Sequence, residues 1–186
     1  PGLTFVVVSD DAKEKMKNRK TPIASFYANL MAFDGYYEKK WFPYTMPISD
    51  IYGLRAAFNL IAGDKTLYER HARIGSATRA AVKEAGLKLH LQSGYSNTVT
   101  VFDIPECTDA KSILDEMRTK YNIMLAGSFD ELSGKVIRIG HMGENARLEH
   151  MVPALEALSA TLTDLGVTLQ GNLADLFLKH YREFQD

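Results

Sequence analysis

The chain has 186 residues, 46% of them hydrophobic, with 22 basic and 23 acidic side chains and a net charge of −1. That composition can bury a substantial core, and it provides no field to recruit nucleic acid or an anionic membrane surface. The single cysteine, Cys107, excludes an intrachain disulfide framework and suits a reducing compartment, so a cytoplasmic location is expected. No apolar run approaches the roughly 20 residues of a membrane span. The opening stretch, "PGLTFVVVSDDAKEKMKNRK", lacks an initiator Met and a signal pattern and begins directly on a turn dipeptide and a strand. It reads as a chain cut from something longer.

In chain order, "LTFVVVS" is apolar on both faces and β-branched, which predicts a buried strand of the parallel-sheet type. Ser9 or Asp10 then caps a short polar helix over 11–19. Residues 21–40 are aromatic-rich without a clean period and read as loop and helix. "WFPYTMPIS", with two prolines, predicts an extended crossing segment. Ser49 is the expected cap of a helix that places Ile51, Leu54, Phe58 and Ile61 on one face. A longer helix follows Gly63-Asp64, with Leu67, Ile74, Ala77, Ala81 and Val82 inward, and Gly86 marks its end.

Beyond residue 86 the pattern runs strand ("LKLHL"), strand ("NTVTVFDI"), helix, strand ("NIMLAGS"), strand ("KVIRIG"), helix. Thr108 or Asp109 is expected to open the first of these helices, with Ala110, Ile113, Leu114 and Met117 inward. Asn145 is expected to cap the second, which runs through Leu148, Met151, Val152, Leu155 and Leu162 with Pro153 near its start. This order predicts an α+β architecture, a small, mostly antiparallel sheet with helices on one face. A last amphipathic helix, 172–184, groups Leu173, Leu176, Phe177, Tyr181 and Phe184 and should pack on the domain or on a partner.

Several chemistries are absent from the pattern. "GSFDELSGKVIRIG" fails as a phosphate loop, because Phe129 and Val136 stand where glycine and Ser/Thr are needed and a strand follows instead of a helix. Histidines 71, 90, 141, 150 and 180 have no metal-ligand spacing; His71 and His90 read as surface residues and His141, between two glycines, as structural. No nucleophile elbow exists, and Cys107 lies in an ordinary turn. No residue is assigned as catalytic and none as a metal ligand.

Arg138 stands apart. "KVIRIG" alternates, so Val136 and Arg138 point one way and Ile137 and Ile139 the other. An arginine on a short strand bracketed by glycines is either a solvated edge charge or an anion clamp, since its planar fork matches a carboxylate and keeps its charge in a pocket. Thr45, in "PYTMP", offers a hydroxyl and free backbone N–H groups on an extended segment, the equipment for phosphate oxygens.

Four stretches in order, "PGLTFVVVSDDAKEKM", "PYTMPISDIYGLRAAFNLI", "AGSFDELSGKVIRIGHMGEN" and "ARLEHMVPALEAL", resemble the C-terminal part of class V, fold-type I, pyridoxal-phosphate aminotransferases of the alanine–glyoxylate and serine–pyruvate group. The resemblance spans about 1–165, and "GKVIRIGHMG" is its most specific piece. It implies that Arg138 grips the substrate α-carboxylate and that Thr45 places a hydroxyl on the cofactor phosphate in the neighbouring subunit of a homodimer. A tyrosine common three residues before that threonine is Phe42 here, and Tyr44 is its possible substitute. The lysine that carries the cofactor in the family would precede Pro1, and no internal lysine, Lys135 included, takes its place.

The resemblance therefore implies a remnant of the large cofactor domain over 1–40, the small C-terminal domain over 41–166 and an additional helix over 167–186. It implies amino transfer between a small amino acid and a 2-oxo acid by the intact enzyme, with pyridoxal 5'-phosphate not bound to the fragment and the fragment inactive by itself. Two alternatives stand beside it: an aminotransferase of aminophosphonates or other small amines, and a stand-alone α+β module for small carboxylates or dimerisation.

Overall fold

The computed structural model describes residues 2–184. The chain forms two compact units that divide between Asp64 and Lys65, a different place from the 40/41 boundary the resemblance implies.

In the first unit, helix α1 (Asp10–Lys17) starts at Ser9, whose hydroxyl accepts the Ala12 N–H, and carries Asp10 and Asp11 in its first turn, where the helix dipole favours them. A Lys13–Asp34 ion pair at 2.5 Å ties α1 to the segment following a 3-10 turn, Leu30–Phe33. Helix α2 spans Ile48–Gly63. Its N-cap position is Pro47, without a side-chain cap, and Ser49 lies inside the helix, contrary to expectation. The helix starts where the Pro47 carbonyl can accept the Ile51 N–H, at 3.0 Å, so the fixed φ of proline sets the boundary and not the serine hydroxyl.

None of the described residues before Lys65 is buried. Residues 3–9 form no strand, and Val7 is 99% exposed. The sequence carries the apolar, β-branched signature, yet a strand exists only when neighbours satisfy its N–H and C=O groups, and none of the described residues pairs with this segment.

Among its described residues the second unit holds four helices, α3 (Leu67–Glu84), α4 (Ala110–Tyr121), α5 (Leu148–Asp164) and α6 (Leu173–Glu183), and two strands, β1 (Val99–Asp103) and β2 (Val136–Gly140). The strands are antiparallel, with Val99 opposite Gly140 and Asp103 opposite Val136. "LKLHL" and "NIMLAGS", expected as strands, contribute one bridge each, Leu89 to Phe102 and Ala126 to Arg138. They flank the pair on either side, so the antiparallel order is as read and the regular strands are fewer.

Alternation places Thr100, Phe102, Ile137 and Ile139 in the interior, where the three apolar ones join Ile74, Ile113, Leu155 and Phe177 in one core. Helix α3 ends in a Schellman motif: Gly86 has φ +88, Leu87 N–H reaches Val82 O at 3.1 Å, and Gly86 N–H reaches Lys83 O at 3.1 Å. Helix α4 is capped by Asp109, which accepts the Ser112 N–H at 3.0 Å. Helix α5 begins later than expected: Arg147 is its N-cap residue, and Asn145 ends a 3-10 turn over Gly143–Asn145. The turn consumes the residues that periodicity assigned to the helix start.

Asn172 caps α6 by accepting the Ala174 N–H at 2.8 Å, and α6 packs against α3 and α5 with Leu173 and Phe177 fully buried. The terminal helix thus completes the core of its own unit. Among the described residues no helix is long and apolar enough to cross a membrane.

Candidate carboxylate and phosphate contacts

On β2, Arg138 shares a face with Val136, which is itself buried, while Ile137 and Ile139 enter the core from the other face. Its backbone is held from the side: its N–H donates to Ala126 O at 2.7 Å and its C=O accepts the Ala126 N–H at 3.3 Å. The half-buried side chain is held as well. Nε–H donates to the carbonyl oxygen of Gly127 at 2.6 Å, and the guanidinium carbon lies 5.5 Å from the centroid of the Phe129 ring. Among the described residues the two terminal nitrogens have no hydrogen-bond partner and Arg138 has no ion pair. The guanidinium is therefore oriented through one edge, with its Nη1/Nη2 edge left for a ligand. Two parallel N–H donors at fixed spacing are what a planar carboxylate accepts.

Past β2, two histidines hold the turn. His141 is fully buried; its Nε2 accepts from Thr100 Oγ1 at 2.8 Å and its Nδ1–H faces Asn97 O at 3.2 Å. Burial pushes its pKa down to about 4, with the nearby Arg79 charge acting in the same direction, so the ring is neutral near pH 7. His71, expected on the surface, is buried instead. Its Nε2 accepts the Gly143 N–H at 3.0 Å, which leaves Nδ1–H to donate to Leu67 O at 2.6 Å. An imidazole offers one donor and one acceptor, and this position inside α3 supplies a partner for each. His90 is partly exposed and paired with Asp103 at 2.8 Å. Among the described residues no group of His, Cys, Asp or Glu could hold a metal ion.

Thr45 and Tyr44 belong to the first unit. Thr45 is exposed, and its hydroxyl has no partner among the described residues. Tyr44 is part of an aromatic cluster with Phe26, Tyr27 and Phe33, and its hydroxyl donates to Phe26 O at 2.5 Å. Its single donor is thereby in use. Phe42 packs edge-on against Phe33 and Tyr36. Lys135 is exposed. Gly127 and Phe129, the partners of the Arg138 side chain, were not singled out as site residues by the sequence.

An uncharacterised aminotransferase of Methanocaldococcus jannaschii is 35% identical over 170 residues, covering 89% of this chain and 44% of the relative. The chain is similar to part of the class V aminotransferases.

The serine–glyoxylate aminotransferase of Arabidopsis thaliana is 34% identical over 189 residues, covering 97% of the chain and 46% of the relative. The crystal structure of pyridoxamine–pyruvate aminotransferase from Mesorhizobium loti superposes with a TM-score of 0.84 at 31% identity, covering 95% of the chain and 46% of that protein. No family model matches. The chain spans under half the length of these relatives, and the mixed helix-and-sheet fold agrees with that partial coverage.

Proposed function

We propose that this chain supplies the substrate-carboxylate contact of a pyridoxal-phosphate-dependent aminotransferase that moves an amino group between a small amino acid and a 2-oxo acid. The observation that carries the reading is Arg138, held at Nε by the Gly127 carbonyl with its other edge free. The amino donor and the oxo acceptor have different reacting carbons but the same carboxylate beside them. One arginine therefore positions the substrates of both half-reactions, and a rigid strand fixes how far the reacting carbon lies from it.

In this reading residues 1–40 belong to the large domain, 41–166 to the small domain, and 167–186 add a helix. The residues present suit part of the cofactor's contacts. The exposed Thr45 hydroxyl can donate to a phosphate oxygen, and Tyr44 can do so only by giving up Phe26 O. No lysine of the chain is assigned to carry the cofactor. Pyridoxal phosphate, when bound, supplies the electron sink for the substrate's α-carbon. The chain's own residues bind and orient: Arg138 the carboxylate, Thr45 the phosphate of the neighbouring subunit's cofactor in a homodimer. The 186 residues by themselves are expected to be inactive.

The test is Arg138→Met and Arg138→Lys in the enzyme that contains this chain, assayed with alanine or serine and glyoxylate. Truncating one partner of a bidentate charge pair costs about 2–5 kcal/mol, so kcat/KM should fall by roughly 30-fold or more. The fall should appear for both amino acid and oxo acid. Unchanged kinetics, or an effect on one substrate alone, would overturn the reading.

A further inference from the structure

Phe129 is an oddly placed phenylalanine. It is 70% exposed, so burial does not explain its presence on the turn. The turn itself is well tied. Phe129 O accepts the Leu132 N–H at 3.3 Å, Asp130 O accepts the Ser133 N–H at 3.1 Å, and Leu132 O accepts the Lys135 N–H at 3.1 Å. Asp130 adopts φ +53, a left-handed conformation that a non-glycine residue holds only when its surroundings impose it. The ring is thus presented from a bent, bonded 3-10 turn (Asp130–Leu132), and the cation it meets there is Arg138.

Resting on the carboxylate role of Arg138, we propose that Phe129 is a positioning residue: its ring and the Gly127 carbonyl together lock the Arg138 guanidinium so that the Nη1/Nη2 edge is the one presented to a carboxylate. The two contacts constrain different motions. The hydrogen bond from Nε to Gly127 O fixes the in-plane edge and resists sliding along the strand. A ring over the guanidinium resists rotation out of plane through the attraction between the cation and the ring's electron-rich face. With Nε occupied, a side-on pair through Nε and one Nη is closed, so end-on pairing is the remaining bidentate geometry. Preorganised donors bind better because less side-chain freedom is lost on association.

The experiment uses the 186-residue chain labelled with nitrogen-15 and titrated with pyruvate as the probe. It follows the Arg138 Nε–Hε signal, identified by its loss in Arg138→Met. In the parent chain that signal should be sharp and slow to exchange with solvent, because the Nε–H is engaged by Gly127 O. Phe129→Ala should broaden it, speed its exchange, and raise the pyruvate dissociation constant about two- to fivefold. Phe129→Tyr, which keeps a ring, should restore both. A backbone amide spectrum unchanged outside the turn shows that the variants are folded. Phe129→Ala with the parent's Nε–Hε signal and exchange overturns the positioning role. Loss of the sharp signal with no rescue by tyrosine also overturns it, because the ring is then not what matters. Pyruvate binding that survives Arg138→Met strikes instead at the proposed function, while the Nε–Hε signature still decides the role of Phe129.

Discussion

His141, just past the end of β2, and Thr100 of β1 form a fully buried hydrogen-bonded pair, with His141 Nε2 accepting from Thr100 Oγ1 at 2.8 Å. With Nε2 unprotonated the hydroxyl donates to it; on protonation Nε2–H would donate to the hydroxyl, so burial of the charged ring is what opposes protonation. The folded pKa is about 4 against an ordinary 6.5, so between those values the unfolded chain binds a proton that the folded chain does not. Stability from this residue is fully present above pH 6.5 and is lost as the pH falls towards 4, on the order of 3 kcal/mol in total. Urea unfolding at steps between pH 7 and pH 4 should show that slope. His141→Gln should be less stable at pH 7 and should lose about one proton's worth of slope. An unaltered slope in the variant means that other groups carry it.

Ser159 joins α5 to the start of α6. Its hydroxyl donates to Leu155 O at 3.0 Å and accepts the Leu173 N–H at 2.8 Å, all in the interior. Ser159→Ala leaves the Leu173 N–H buried without a partner, at a cost of about 1–3 kcal/mol. Asn172→Ala, which removes the cap beside it, should cost about 1 kcal/mol. Both act on one helix start, so the double variant should depart from the sum of the singles when the three are compared by urea unfolding.

Gly86 has φ +88, and a Cβ there would stand 3.3 Å from the Gln170 side chain. Gly86→Ala should therefore lose about 1–2 kcal/mol through the left-handed backbone alone. The expected result is a lower unfolding midpoint at an unchanged denaturant slope, since the unit remains equally compact.

The described residues before Lys65 have no buried side chain, whereas α3 through α6 share one core. Local opening follows the density of buried contacts. Limited proteolysis of the 186-residue chain, read by mass spectrometry, should cut first before residue 65 and leave a product that begins near Lys65 and keeps α6. Early cutting between α5 and α6 would contradict the packing of α6 on α3 and α5.

The sequence alone determined most of the helices, because an apolar stripe at 3.6-residue spacing is a local property. Ile74, Ala77, Ala81 and Val82 of α3 are buried as that period requires. Side-chain caps were legible to within one residue where a short polar side chain reaches forward a turn: Ser9 or Asp10 resolves to Ser9, and Thr108 or Asp109 to Asp109. They misled at Ser49 and Asn145, where a proline and a 3-10 turn moved the boundary. Arg138 stood out as an arginine on an apolar strand, and its place on the face opposite Ile137 and Ile139 followed from alternation.

Only the tertiary structure decided what each of these groups meets. Gly127 O and the Phe129 ring reach Arg138 because the chain folds back on β2, and the residue-pair geometry that orients a guanidinium has no periodic trace in sequence. His71 meets Gly143 across 72 positions, so a histidine that looks solvated on a helix becomes a buried donor and acceptor. Residues 3–8 teach the converse. Their apolar, β-branched character is written in the sequence, but burial belongs to a strand together with its neighbours, and hydrogen bonds to an adjacent strand cannot be supplied by the strand itself.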